Sequence, residues 1–402
     1  MTSMKKVINN IFNISAIELL GLLIPIVTMP ILTRSLGADL YGGYLLFTAV
    51  MIFGQTIIDY GVQYTGVRDA ARANNNEIKL KDIFQRYQGV RAFFFVVYLI
   101  VIIVYSQLLS DDSSSYYILH YGTIYLLGYF LCCSWFYQAI SETRRLMIAM
   151  VIPKLINLLV VVIFIRDQND IEILYLVTSC TVLMTGLYLS LYLFYTRGYD
   201  LFRVGMLKND ILSGFDVFIG ILAPNLYNAL PTIIMGSLYN SSQFALFAIA
   251  SRICSIISML QGVLSKAIYP FLSSSKVSYL KEIIIANIII SAPLVLILYF
   301  FSNELLSFFF GDDFSENLYL KVMLIGMFFY SISNSIVIGF ILPMKFDNVY
   351  KKISLIVSFI SAGVAIVMIY NFGLLGGAVT LTIARTLYFI FYSLFYFKNR
   401  SV

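Results

Sequence analysis

Runs of about 20 apolar residues follow one another along this 402-residue chain, parted only by short polar connectors. A helix of about 20 residues crosses a ~30 Å hydrocarbon layer, because each residue adds ~1.5 Å. Backbone N–H and C=O groups inside lipid must bond within the chain, so runs of this kind are helical. Bounded by polar clusters, they lie near 11–33, 41–63, 89–109, 117–139, 148–165 and 172–195, then near 212–237, 244–268, 282–301, 318–343, 353–370 and 374–397. The expected fold is therefore an all-α polytopic membrane protein with about twelve crossings. Composition agrees, since 60% of the residues are apolar and 12% are charged, against about a quarter charged in soluble domains. The first run contains Pro25 and Pro30 and exceeds the h-region of a signal peptide, so it is expected to remain as a span. Cys132, Cys133, Cys180 and Cys254 all fall inside apolar runs. Neither disulfide nor zinc spacing is present, and no metal or cofactor is expected.

The 27 Lys and Arg residues set an orientation. Only Arg34, Arg166 and Lys321 fall on one set of alternate loops, and only Arg252 and Arg385 fall deep within spans. The others gather on the opposite side: Lys5 and Lys6, the cluster from Arg68 to Arg91, then Arg144, Arg145 and Lys154, and so on to Lys398 and Arg400. Cytoplasmic loops retain positive charge during insertion, so both termini are expected in the cytoplasm. This dispersed pattern excludes a basic nucleic-acid-binding face. The other loops are acidic or neutral, with Asp111, Asp112, Glu304, Asp312, Asp313 and Glu316.

Six crossings return the chain to its starting side near residue 200, so residues 201–402 enter the membrane in the same direction as residues 1–200. Two six-helix lobes, 1–200 and 201–402, are expected to form a parallel internal repeat. Glu18, Pro25, Pro30 and Gly37 recur as Asp216, Pro224, Pro231 and Gly236 at separations of about 200 residues.

Charges deep in a bilayer cost at least ~2.5–3.5 kcal/mol each, so they usually face a cavity or a partner. Arg252 and Arg385 are the two deep cations, and a planar guanidinium matches phosphate oxygens bidentately. They are candidates for holding an anionic headgroup, and pairing with a carboxylate or helix carbonyls is the plainer alternative. Glu18 is the one acid well inside a span and, with the shallower Asp216, is a candidate for coupling a proton or sodium ion. A satisfied carboxylate near the cytoplasmic face is the alternative for Glu18. Asp59 sits at a span end and is a weaker candidate. Asn225, Asn228 and Thr232 form a polar stripe around Pro224 and Pro231, as expected of a kinked helix lining a cavity or bonding to a neighbour. The lone His120 is expected at an interface, and the 30 Tyr and 33 Phe residues in packing and interfacial belts, with some Tyr available to stack on sugars. No P-loop, HExxH or GxSxG pattern is present, so neither ATP-driven transport nor familiar hydrolysis has residues to carry it.

Ile24-Pro25, Pro30-Ile31-Leu32-Thr33-Arg34-Ser35-Leu36-Gly37, Tyr41-Gly42 and Asp59-Tyr60-Gly61 resemble the polysaccharide flippases of bacterial surface-glycan clusters. Asn228-Ala229-Leu230-Pro231-Thr232 and Met235-Gly236 are similar to the start of that family's second lobe. The resemblance implies the multidrug, oligosaccharidyl-lipid and polysaccharide exporter fold, with two lobes in a V around a central cavity. It further implies a flippase, not an enzyme, that moves undecaprenyl-pyrophosphate-linked oligosaccharides from the inner to the outer leaflet of the cytoplasmic (inner) membrane by alternating access. Implied partners are that glycan lipid, a coupling ion and glycan polymerase machinery. Related lipid II flippases carry an arginine before a Leu-Gly at the end of their first span, which implies a headgroup role for Arg34. An interfacial anchor is the alternative for Arg34. A cation-exporting antiporter of the same superfamily would want acids in its cavity, whereas the deep charges here are mostly basic. A membrane glycan polymerase would want a large outer loop with arginines or a catalytic acid.

Overall fold

The computed structural model describes residues 2–73, 76–109, 112–202, 207–274, 280–311, 314, 318–341, 344 and 346–399. Among them the chain is helical throughout, with no strand. The helices are α1 Thr2–Asp59, α2 Val62–Arg72, α3 Glu77–Leu108, α4 Asp112–Leu131, α5 Ser134–Ala139, α6 Thr143–Phe164 and α7 Ile171–Arg197, then α8 Leu207–Leu238, α9 Ser241–Ser274, α10 Leu280–Phe300, α11 Ser302–Phe310, α12 Leu318–Ile336 and α13 Asp347–Asn399. Among the described residues nine helices are long and apolar enough to cross a membrane, or ten if the bent α8 is one span.

Two of these stretches, Phe12–Ala70 and Asn348–Asn399, run to 59 and 52 residues, more than twice the ~20 that one crossing takes. Each is broken by a glycine in a backbone conformation closed to other residues: Gly37 at φ 76°, ψ 173° and Gly373 at φ 58°, ψ −135°. At the second break the chain doubles back. A Cβ on Gly376 would collide with the Met368 carbonyl, although residues eight apart on a straight helix are separated by ~12 Å.

The chain forms two compact units, Met1–Leu222 and Ala223–Val402. The division falls within α8 and not in the connector near residue 200, because the first half of α8 packs on the first unit. Phe218 stacks on Tyr60 at 4.4 Å, Tyr60 on Phe94 at 4.1 Å, and the Asp210 carboxylate pairs with Arg86.

In the first unit α4 and α7 touch backbone to backbone. A Cβ on Gly128 would sit 2.5 Å from the Leu183 main chain, and one on Gly186 would strike the Gly128 carbonyl. Close approach at small residues is how helices gain packing where lipid supplies no hydrophobic drive. Tyr41, Tyr44, Phe47, Tyr117, Tyr121 and Tyr175 pack on one another, with Tyr117 and Tyr175 stacked at 4.1 Å. These tyrosines serve each other. His120 is exposed and stacks on Tyr116 at 4.2 Å. The outward faces are apolar, as Phe93, Val96, Ile100, Ile103 and Val104 of α3 illustrate.

In the second unit α9, α10, α12 and α13 pack together through hydroxyls and amides as well as apolar groups. Gln261 donates to Ser331 at 2.8 Å, Ser331 meets Ser291 at 2.8 Å, and Asn287 donates to Ser335 at 2.8 Å. Interhelical hydrogen bonds of this kind contribute ~0.6–2 kcal/mol each in a bilayer. Beyond them α12 loosens into a π turn, Val337–Ile341.

Candidate functional site

The two deep arginines both belong to the second unit. Arg385 lies in the second half of α13 against α12, where Gly326 leaves room for its stem: a Cβ there would come within 3.1 Å of the Arg385 Cδ. Its Nη1 donates to the Met323 carbonyl at 3.2 Å, and its charge acts on the buried Cys254 of α9. Helix carbonyls, the plainer alternative, are thus among its partners, but no carboxylate is within ion-pair distance among the described residues.

Arg252 is half-buried on α9, two residues before Cys254. Two residues turn a helix through ~200°, so Arg252 leaves α9 from the side away from Cys254 and Arg385. The structure does not bring the two guanidinium groups onto one face of that helix. Arg252 instead shares its face with the exposed Ser255, while the buried side of the helix at this level is Cys254, Ile257 and Gln261. A half-buried cation beside an exposed hydroxyl on a span is out of place in hydrocarbon. The pair suits a water-filled space.

In the first unit Glu18 is half-buried on α1. The Lys154 ammonium of α6 donates to the Ile17 carbonyl at 3.2 Å and fills the notch at Gly21, 3.3 Å from where a Cβ would stand. Gly21 is one turn beyond Glu18, so a cation sits beside the candidate acid. Lys154 lies about 16 Å along α6 from Thr143, well inside the span. Arg34 is exposed one turn before the Gly37 break, in the other unit from Arg252 and Arg385. On α8 Asn225 is half-buried, and Asn228 is exposed with its carbonyl accepting from Thr232 at 2.8 Å. The helix bends by 50° between 217–223 and 228–238, around Pro224, which has no N–H to give the helix. The Asp216 side chain lies outside the described residues.

Arg91 is the charged group that the alternation of loops concealed. It is 1% exposed, about 20 Å along α3 from Glu77. The reason lies in α4, which stops at Leu131 and resumes as α5 at Ser134. A helix that ends inside the membrane leaves carbonyls without partners. Arg91 Nη2 donates to the Tyr129 carbonyl at 2.8 Å, and Gln88 Nε2 to the Phe130 carbonyl at 3.3 Å. Gln88 Oε1 accepts in turn from Arg91 Nη1 at 2.6 Å and from Trp135 Nε1 at 3.4 Å. A cation at a helix C-terminus also meets the negative end of its dipole. Asp59 stands at the end of α1, just before Tyr60 and Gly61 take left-handed conformations, and attracts Arg91 electrostatically.

The sequence profile of the family described as "Polysaccharide biosynthesis protein" matches residues 7–276. The chain is 22% identical over 384 residues to a candidate O-antigen transporter of Escherichia coli (strain K12), covering 92% of each protein. It is 25% identical over 275 residues to the capsular polysaccharide biosynthesis protein CapF of Staphylococcus aureus, covering 65% of this chain and 69% of that one. Among solved structures it is similar to the lipid II flippase MurJ in an inward closed conformation, with a TM-score of 0.71 and 16% identity over 98% of this chain and 88% of that one. An inward-facing multidrug resistance MATE family transporter of the MOP superfamily gives a TM-score of 0.67 and 16% identity over 93% of each chain. At such identities the two structures speak for the fold: all-α, multi-pass and membrane-embedded.

Proposed function

Since this chain belongs to the polysaccharide biosynthesis protein family, we propose that it is a flippase carrying undecaprenyl-pyrophosphate-linked oligosaccharide units from the inner to the outer leaflet of the cytoplasmic membrane by alternating access. In this reading α1 and α13 each cross the membrane twice at their glycine breaks and α8 crosses once with a bend. The total is then about twelve crossings with both termini on the basic, cytoplasmic side. The lobes are those expected at 1–200 and 201–402, with the start of the seventh span packing on the first.

Carrying a sugar chain through hydrocarbon strips its hydroxyls of partners, at several kcal/mol for each unsatisfied group. Polar faces within the spans remove that barrier. One observation carries the reading: two arginines lie inside the spans of the second unit with no carboxylate partner among the described residues. Their charge favours an anionic cargo over a cationic drug. Arg252, half-buried beside the exposed Ser255, is assigned the pyrophosphate contact, and Arg385 adds its field. Arg34 meets the same headgroup at another stage, and Asn225 and Asn228 offer amides to sugars. Glu18, with Lys154 beside it, and Asp216 are assigned to coupling with a proton or sodium gradient. Delivery to glycan polymerase machinery follows on the outer side.

Arg252→Ala and Arg385→Ala should each abolish surface glycan in cells that depend on this chain, while membrane levels of the protein stay intact. Normal glycan in both variants would remove the headgroup role. A change in drug susceptibility with glycan unaltered would instead point to a cation exporter.

A further inference from the structure

An open groove of about 900 Å³ lies in the first unit, between the start of α1, the start of α6 and the last turns of α7. It is on the basic side of the spans, at the level of Arg144 and Arg145, and its wall includes Tyr188 and Tyr192. Its charge is uneven. Glu142 is the acid among the residues that line it, and both of its oxygens are already taken: Oε2 pairs with Arg145, and Oε1 accepts from Arg197 Nη2 at 2.5 Å. The Arg145 guanidinium is also stacked 3.6 Å from the Tyr192 ring centroid. Arg144 is exposed in the groove with no carboxylate in ion-pair distance among the described residues.

The helix adds to this. Arg144 and Arg145 stand in the first turn of α6, which has no acidic residue. Glu142, the N-cap residue of α6, is taken up by Arg145 and Arg197, so Arg144 is left beside the positive end of the helix dipole, a combination that a further anion relieves. The other side of the groove is polar and fixed: Asn13 donates to Thr143 at 3.0 Å, and Thr143 to Asn10 at 2.7 Å. From the arginines toward the membrane interior the groove runs onto bare apolar surface, with Ile148, Ile152 and Leu159 exposed on α6 and Met184, Tyr188 and Leu191 on α7. A charged mouth continuous with a lipid-facing strip is shaped for a molecule that is anionic at one end and hydrocarbon at the other.

We propose that this groove binds the phosphate of a membrane lipid on the basic side of the bilayer, with Arg144 as its principal cation, Tyr188 and Tyr192 flanking the headgroup, and the tail lying along α6 and α7. Lipid binding here does not rest on the transport reading, since Arg252 and Arg385 take no part in it, whereas a role in docking polyprenyl cargo does. The lipid phosphate is supplied either by an anionic phospholipid or by a polyprenyl pyrophosphate, and the test separates them.

Full-length protein in phosphatidylcholine nanodiscs is titrated in parallel with phosphatidylglycerol and with undecaprenyl pyrophosphate, and bound lipid is counted by native mass spectrometry. Arg144→Gln should weaken retention of at least one of them by about tenfold, the scale of one lost arginine–phosphate contact, and Arg144→Lys by much less. An effect on both lipids assigns a general phospholipid site, and an effect on the pyrophosphate alone assigns a docking site for polyprenyl cargo. Equal retention of both lipids by wild type and Arg144→Gln overturns the proposal. Because Arg144 is exposed, the variant is not expected to unfold, and a matching thermal transition in the lipid-free protein verifies that.

Discussion

Arg91 and Gln88, both buried, serve the Tyr129 and Phe130 carbonyls at the end of α4, and the half-buried Asp59 carboxylate acts on Arg91 electrostatically. Removing the guanidinium leaves the Tyr129 carbonyl without its second donor, Gln88 without its ordering partner and Asp59 without a nearby cation. Leaving a buried polar group without its partner costs about 1–3 kcal/mol, and more where the lost partner is charged. Arg91→Ala should therefore lower the thermal transition of the detergent-solubilised protein steeply, as followed by fluorescence-detected size exclusion. Adding Asp59→Asn should recover part of the loss, because the stranded carboxylate is then gone, and an additive double variant would show that the two residues do not communicate. The residue types that mattered were visible in the sequence, but not all of their settings were. Arg252, Arg385 and Glu18 stood out because they lie far from any polar cluster. Arg91 and Lys154 were read with the flanking basic groups of their loops, since a charge a few residues inside an apolar run looks like a loop charge until the helix is seen to begin earlier. That α3 starts at Glu77 and α6 at Thr143 places both inside spans, Arg91 buried and Lys154 half-buried.

Among the elements, glycines decide where helices meet and where they turn. Gly128 and Gly186 set the contact of α4 with α7, and no side chain fits at either without moving backbone. Gly186→Ala should thus separate the two helices and destabilise the first unit by roughly 1–3 kcal/mol, the usual cost of overpacking. Gly363 on α13 is the control, since nothing lies within 4 Å of its Cβ position. There an alanine should be neutral or stabilise by up to about 1 kcal/mol, through the ordinary helix preference. Should both variants melt alike, glycine spacing would not be what holds α4 and α7 together. Proline was legible as a bend at Pro224, because it lacks a donor wherever it stands. The break in the fourth span at Cys132 and Cys133 was not, because no proline or glycine marks it and its freed carbonyls are served by α3, remote in sequence.

For the whole molecule, hydropathy made the all-helical membrane fold legible, since the solvent dictates it: a backbone in lipid has few ways to satisfy itself. The limit between the two units was less so, because aromatic stacking of Phe218 on Tyr60 draws the start of α8 into the first unit, and no feature of the connector near residue 200 announces that. Orientation follows from charge alone and can be tested alone. If the basic loops face the cytoplasm, a fluorescent protein that matures only there should light up when fused after Val402. Alkaline phosphatase, active only outside, should work when fused at the Arg166–Asp170 turn and stay silent when fused after Ala73. The turn is a fair site, as its residues are mostly exposed and its backbone is held locally by Asp167 and Asp170. Phosphatase activity at Ala73 with none at the turn would invert every loop. It would also move the groove at Arg144 to the outer leaflet, where a cargo made in the cytoplasm could not reach it before translocation. Because each added crossing reverses all the loops after it, agreement at both a first-unit loop and the C-terminus would also establish that the number of crossings between them is even or odd as the twelve-span reading requires.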